Sequence, residues 1–169
     1  MTPVVVLVGP PGSGKTTVGR IVAGRIGRAF RDTDRDVESA AGQEITDIFV
    51  EQGEDSFRVM ERVAVERALK EHDGVLALGG GAVVDAGTRE LLRPHRVVFL
   101  DVGLADAANR VGFSQSRPLL LVNPRAELKR MLAERRAHYE EVATAVVPTD
   151  GRTPEDIAAD VVALLGRDA

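Results

Sequence analysis

An apolar, β-branched run, Val4-Val5-Val6-Leu7-Val8, passes straight into Gly9-Pro10-Pro11-Gly12-Ser13-Gly14-Lys15-Thr16, and a helical pattern follows. The octapeptide fits G-x-x-x-x-G-K-[ST], the loop whose backbone wraps phosphate oxygens. From Thr17 to Ile26, the residues Val18, Ile21, Val22 and Ile26 share one helical face. Strand, glycine loop and helix in this order aim backbone N–H groups and a helix N-terminus at an anion. Gly12, Ser13, Gly14 and Thr17 therefore belong to a phosphate cradle, Lys15 reaches the β- and γ-phosphates, and the Thr16 hydroxyl joins a Mg²⁺ shell. The pattern implies a nucleoside triphosphate site.

The remaining segments alternate between strand and helix. Short strands are expected at Ala29-Phe30-Arg31, Val75 to Leu78, Val97 to Leu100 and Ala145 to Val147. Helices are expected at 36–41, at 45–51 closed by Gly53, and along a charged stretch at 54–71 whose apolar residues are Phe57, Met60, Val63, Ala64 and Ala68. Further helices are expected at 85–92, 105–111, 125–142 and 154–165. Such alternation predicts an α/β fold, a three-layer sandwich with a mainly parallel five-stranded sheet covered on both faces. Ligands of such sheets bind beyond the carboxyl ends of the strands.

A chain of 169 residues suits a single P-loop kinase domain spanning 1–169, with no linker or repeat. The net charge of −4 argues against general nucleic-acid affinity, so an anionic ligand has to be held by local arginines. One Tyr, five Phe and no Trp leave little for a base-stacking surface. No cysteine is present, which excludes disulfides, thiolate zinc sites and thiol catalysis and permits a reducing cytoplasm. No apolar run approaches a membrane span, and Met1-Thr2-Pro3 leads directly into the first strand, so no signal peptide is expected. The expectation is a cytoplasmic monomer acting on small molecules, without a nucleic-acid or membrane partner.

Two other features carry chemistry. Asp32-Thr33-Asp34 places two carboxylates at a strand end with a spacing that can send both toward one mouth. One can hold Mg²⁺ through water and the other can orient or deprotonate an attacking hydroxyl. The alternative is a solvated turn whose Asp caps the next helix. Gly79-Gly80-Gly81 follows a buried strand, where three glycines cost chain entropy and bury nothing. Close backbone approach to a ligand explains them; the alternative is a tight turn needing positive φ.

Over essentially its whole length the chain resembles the shikimate kinase family. The matching segments are 9–17, Asp32-Thr33-Asp34, Ile48-Phe49, Phe57-Arg58 with Glu61, Leu78 to Ala82, Arg117-Pro118-Leu119-Leu120, and Arg135 four residues before Tyr139. The phosphate loop is widespread, but this ordered combination is specific. The resemblance implies a P-loop fold of the nucleoside-monophosphate kinase type. It also implies transfer of the ATP γ-phosphoryl group to the 3-hydroxyl of shikimate, with Mg²⁺.

By resemblance, Asp32 supports the metal's water shell beside Thr16, and Asp34 binds the reacting hydroxyl as candidate base. Arg58 and Arg135 grip the substrate carboxylate, and the amides of Gly79, Gly80 and Gly81 meet the ring hydroxyls. Arginine suits a carboxylate because its planar fork donates two charge-assisted hydrogen bonds. The bland alternative for Arg58 is an exposed ion pair with Glu54 or Glu61. The substrate-binding region falls at about 33–61. A lid is expected at about 112–124, bringing Arg117 onto the transferred phosphoryl group. Arg110 and the loop at Arg152 match the family's adenine-holding places.

Three points stay open in the sequence. The family often shows Arg-x-Pro-Leu-Tyr at the second carboxylate arginine, whereas Arg135-Arg136-Ala137-His138-Tyr139 lacks both Pro and Leu, so Arg136 competes with Arg135. Asp101, at a strand end, competes with Asp32 for the metal. The charges of Glu61 to Glu71 read most simply as a solvated helix face. A kinase for another small hydroxy acid such as gluconate, a nucleoside-monophosphate kinase, and a non-catalytic nucleotide switch remain alternatives.

Overall fold

The computed structural model describes residues 1–111 and 124–167, without the side chains of residues 110, 111 and 124. Strand β1 (Val5–Val8) is buried throughout and leads through the glycine loop into α1 (Lys15–Ile26). Then come β2 (Phe30–Asp32), α2 (Thr33–Ala41), α3 (Ile45–Glu71) and β3 (Val75–Ala77). A 3₁₀ turn (Ala82–Val84) precedes α4 (Ala86–Leu92), β4 (Val97–Asp101) and α5 (Leu104–Val111). The described chain ends with α6 (Pro124–Val142), β5 (Ala145–Pro148) and α7 (Pro154–Gly166).

The strands lie in the order β2-β3-β1-β4-β5, and each neighbouring pair is parallel. Alternate side chains of a strand leave opposite faces, and both faces are apolar here. Val6, Val8, Leu76, Val97 and Phe99 pack with Val65, Ala68 and Leu69 of α3, Leu92 of α4 and Tyr139 of α6. Val5, Leu7, Val75, Val98 and Leu100 pack with Val18, Val22 and Ala23 of α1 and Ile157, Ala158 and Val161 of α7. The molecule is thus the expected three-layer sandwich. Because the strands run the same way, the glycine loop, Asp32 and Gly79 all emerge at one edge of the sheet.

Three local departures have clear causes. Helix α2 starts at Thr33 rather than Asp36, because Asp32 caps it: its Oδ1 accepts from the Asp34 amide at 2.9 Å. The two expected helices meet in α3, whose backbone leaves helical geometry at Gly53 (φ 83°, ψ 171°). The buried line of α3 runs through Phe57, Glu61, Val65, Ala68 and Leu69, so Val63 faces solvent. The solvated-face reading of residues 61–71 is corrected at its first member, since Glu61 is only 2% exposed.

Candidate active site

One cavity, of about 610 Å³, is lined by Gly12, Ser13, Gly14, Lys15, Thr16 and Thr17 together with Asp32, Asp34 and Arg152. Gly14 is the N-cap of α1 in a left-handed conformation (φ 89°), which side-chain-bearing residues rarely adopt. No side chain caps this helix and no acidic residue occupies its first turn, so its positive end suits an anion from outside. The Lys15 ammonium is folded onto the loop, donating to the carbonyls of Gly9 at 2.8 Å and Pro10 at 3.1 Å. Arg152 also lines this space. Its guanidinium donates to the carbonyls of Pro148 (2.9 Å) and Asp156 (3.2 Å) and pairs with Asp160 at 2.8 Å.

Asp32 serves two ends at once. While Oδ1 caps α2, Oδ2 accepts from the Thr16 hydroxyl at 3.4 Å. Capping and metal support are therefore compatible in one carboxylate. This hydroxyl and carboxylate are hard oxygen donors at the mouth of the phosphate loop and fit Mg²⁺, which takes few protein ligands beside water and substrate phosphates. No cluster of three or more His, Cys, Asp or Glu suited to a metal occurs among the described residues. Asp101 is otherwise engaged. It takes both terminal nitrogens of Arg136, at 2.9 and 2.8 Å.

A second cavity, of about 430 Å³, shares Pro11, Thr16, Asp32, Asp34 and Gly80 with the first. Its far wall holds Arg58, Glu61, Gly79, Gly81 and Arg135. Arg58 pairs with both Glu61 (2.7 Å) and Glu54 (3.3 Å), the ion pair considered as the bland reading, but its side chain is only 13% exposed. Ion pair and cavity wall coexist. Burial pushes the Glu61 carboxyl up to about 7, against the pull of Arg58, with Asp34 raising it further and Arg135 lowering it.

The three glycines are explained by neighbours rather than by φ, since none of them has positive φ. A Cβ on Gly79 would come within 2.5 Å of Asp34 Oδ1 and 2.7 Å of Glu61 Oε2. One on Gly80 would meet the Pro11 ring at 2.9 Å, and one on Gly81 would enter the Arg58 guanidinium. The missing side chains leave room for two carboxylates, the phosphate loop and an arginine to converge. The Gly79 amide faces the Thr33 hydroxyl at 3.4 Å, so it is directed into the protein rather than at a ligand. The Gly80 carbonyl accepts from the Tyr139 hydroxyl. Burial raises that phenol to about 12, and it stays a donor at any ordinary pH.

Arg135 and Arg136 are neighbours on α6 but point to different places. Arg135 is 8% exposed and lines the second cavity. Arg136 is half exposed and lies over the Phe99 ring at 5.7 Å while it holds Asp101. Arg117 and the expected lid up to residue 123 lie outside the described residues, as does the Arg110 side chain. Pro124, the last residue of the expected lid, instead opens α6.

A family model described as shikimate kinase matches residues 11–166. A shikimate kinase of Salinispora arenicola is 59% identical over 165 residues, covering 98% of this chain and 99% of the relative. The chain belongs to the shikimate kinase family. Its fold agrees: a shikimate kinase from Acinetobacter baumannii, solved in complex with shikimate, superposes with a TM-score of 0.94 at 36% identity. That match covers 99% of this chain and 94% of the other. A gluconokinase from Sinorhizobium meliloti follows at a TM-score of 0.64 and 22% identity, covering 98% and 92%, and shares the fold alone.

For this shikimate kinase family member, sequence reasoning gave no role to Glu61, which lines the second cavity, or to Thr33, which is buried and accepts from the Gly79 amide. Glu61 left a signal: it stands four residues from both Phe57 and Val65, on the apolar line of α3. A carboxylate at such a position is seldom left unpaired. Thr33 left none, being a small residue between two aspartates.

Proposed function

We propose that the chain transfers the γ-phosphoryl group of ATP to the 3-hydroxyl of shikimate. One observation carries this reading: two cavities, one built on the phosphate loop and one lined by Arg58 and Arg135, share the wall formed by Asp32 and Asp34. A donor phosphate and an acceptor hydroxyl would meet there. Family membership and the acceptor named for the A. baumannii structure support shikimate as that acceptor.

Lys15 leaves the carbonyls of Gly9 and Pro10 and follows the β- and γ-phosphates, and the amides of residues 12–17 hold the phosphate oxygens. Thr16 and Asp32 would hold Mg²⁺, which neutralises charge on the β- and γ-oxygens when bound. Asp34 takes the proton of the attacking hydroxyl as its oxygen bonds to the γ-phosphorus and the bond to ADP breaks. Arg58 and Arg135 hold the acceptor carboxylate, with the Gly79–Gly81 backbone beside the ring. Arg117 neutralises the transferring group from the 112–124 segment, and Arg110 and Arg152 flank adenine. Residues 1–169 act as one domain in the cytoplasm; no helix among the described residues is long and apolar enough to cross a membrane.

A coupled assay of ADP release with shikimate, gluconate and AMP tests the reading. Turnover stimulated by shikimate alone is expected. Stimulation by gluconate or AMP instead would overturn the acceptor. Nucleotide binding with no acceptor-stimulated turnover would make the chain a switch.

A further inference from the structure

The lining of the acceptor cavity already carries more carboxylates than arginines, five against three. Arg58 from α3 and Arg135 from α6 supply two cations, while Asp34 from α2 and Glu61 from α3 supply two carboxylates. Glu61 is the most enclosed of the four, at 2% exposure, with its Oε1 on Arg58 at 2.7 Å and its Oε2 turned to Gly79 beside Asp34 Oδ1. Of the other charged groups, Asp32 caps α2 and accepts from the Thr16 hydroxyl, and Glu44 is exposed. Glu54 shares Arg58 at 3.3 Å, Arg35 pairs with Glu38 at 3.6 Å at the mouth, and Arg62 on α3 holds Asp85 at 3.2 Å. Tyr139 faces the group from α6 and stays protonated.

A carboxylate entering between Arg58 and Arg135 adds a further anion to this surplus, beside a Glu61 that is itself almost fully buried. It also competes for the guanidinium that offsets the charge of Glu61. Like charges crowded at low dielectric are relieved by protonating the most buried of them. We propose that Glu61 takes up a proton when the acceptor carboxylate binds, so that acceptor binding is proton-linked and Glu61 positions Arg58 as a neutral acid in the complex. This rests on the acceptor reading above and adds a charge balance to it. Protonation leaves the acid an O–H donor and a carbonyl acceptor, so Arg58 keeps a partner while its positive charge serves the substrate. Burial, which already holds this carboxyl near 7 in the free protein, places the uptake in an accessible pH range.

Linkage fixes the direction. If the complex holds more protons than the free protein, affinity falls as pH rises, by at most about tenfold per pH unit for one proton. Titration of shikimate into the nucleotide-free protein at pH 8, in HEPES and in Tris, measures the uptake, because the two buffers differ in ionisation heat. About half to one proton per bound shikimate is expected for the wild type. Glu61→Gln should bind with little or no uptake and a flattened affinity–pH profile. A carboxylic-acid C=O band appearing in the infrared difference spectrum, with the shikimate carboxylate ¹³C-labelled to move its own bands, reads the same event without any variant. Binding with equal heats in both buffers would overturn the proposal. So would uptake that persists in Glu61→Gln, which would assign the proton to Asp34. If no shikimate binds in either buffer, the acceptor reading fails first and takes this one with it.

Discussion

Arg136 meets Asp101 with both terminal nitrogens, at 2.9 and 2.8 Å, and so fixes α6 against the carboxyl end of β4. One residue back along the helix, Arg135 is consequently turned about 100° away, into the wall of the acceptor cavity. Helical geometry thus puts Arg135, and not its neighbour, in the lining of the second cavity. Arg135→Ala should raise the acceptor KM by roughly thirtyfold or more, since an enclosed charge pair lost on one side costs about 2 kcal/mol or more. Arg136→Ala removes a half-exposed pair worth about 1 kcal/mol and should change KM by no more than about fivefold. Steady-state kinetics on both variants checks the assignment, and a larger KM effect at Arg136 would reverse it.

Lys15→Met removes the cation now resting on the Gly9 and Pro10 carbonyls. The Pro10 carbonyl keeps its bond from the Ser13 amide at 3.1 Å, so the loop and the fold should persist. Phosphoryl transfer should fall by at least about a hundredfold, the scale for losing one preorganised donor to a developing charge. Single-turnover rates with circular dichroism as a control measure this, and a near-normal rate would remove Lys15 from the chemistry.

Asp34→Asn keeps the shape of the shared wall but cannot accept a proton. The expected result is a kcat lower by about 10² to 10⁴, the range for general acid–base groups, with ATP affinity changed only a few-fold. Equilibrium ATP binding beside kcat separates the two. Equal losses in both would make Asp34 a binding group rather than a base.

Order and type of elements were readable because most strands are short apolar runs rich in valine and several helices carry their own punctuation, such as Thr153 capping α7 at the Asp156 amide. Site residues with a fixed spacing to a motif, such as Lys15 and Thr16, were equally plain. What stayed hidden depends on tertiary neighbours. The reason for Gly79 lies in Asp34 and Glu61, which approach from two other helices, and no local pattern encodes that. The face of α3 was misjudged by a fraction of a turn because its buried line contains a carboxylate. Apolar periodicity skips Glu61 and settles on Val63, which is 59% exposed.

Glu61 also gives the fold a pH dependence of known sign. Its carboxyl is raised from 4.5 to about 7 by burial, which outweighs the attraction of Arg58. A group raised on folding contributes stability that is fully present below its unfolded value of 4.5 and is lost as pH climbs through the folded value. Between those limits the native state gives up about 3 kcal/mol that a neutral side chain would not give up. Glu61→Gln keeps an acceptor and adds a donor of nearly the same shape, so its own stability should be nearly flat where Glu61 titrates. Urea unfolding of both proteins from pH 4.5 to 8.5 should therefore show the wild type losing ground to the variant as pH rises, most steeply around pH 5 to 7. The difference curve matters, because every other titrating group is common to both chains. Parallel curves across that window would mean that the Arg58 pair fully offsets burial, and that the carboxylate is ionised throughout.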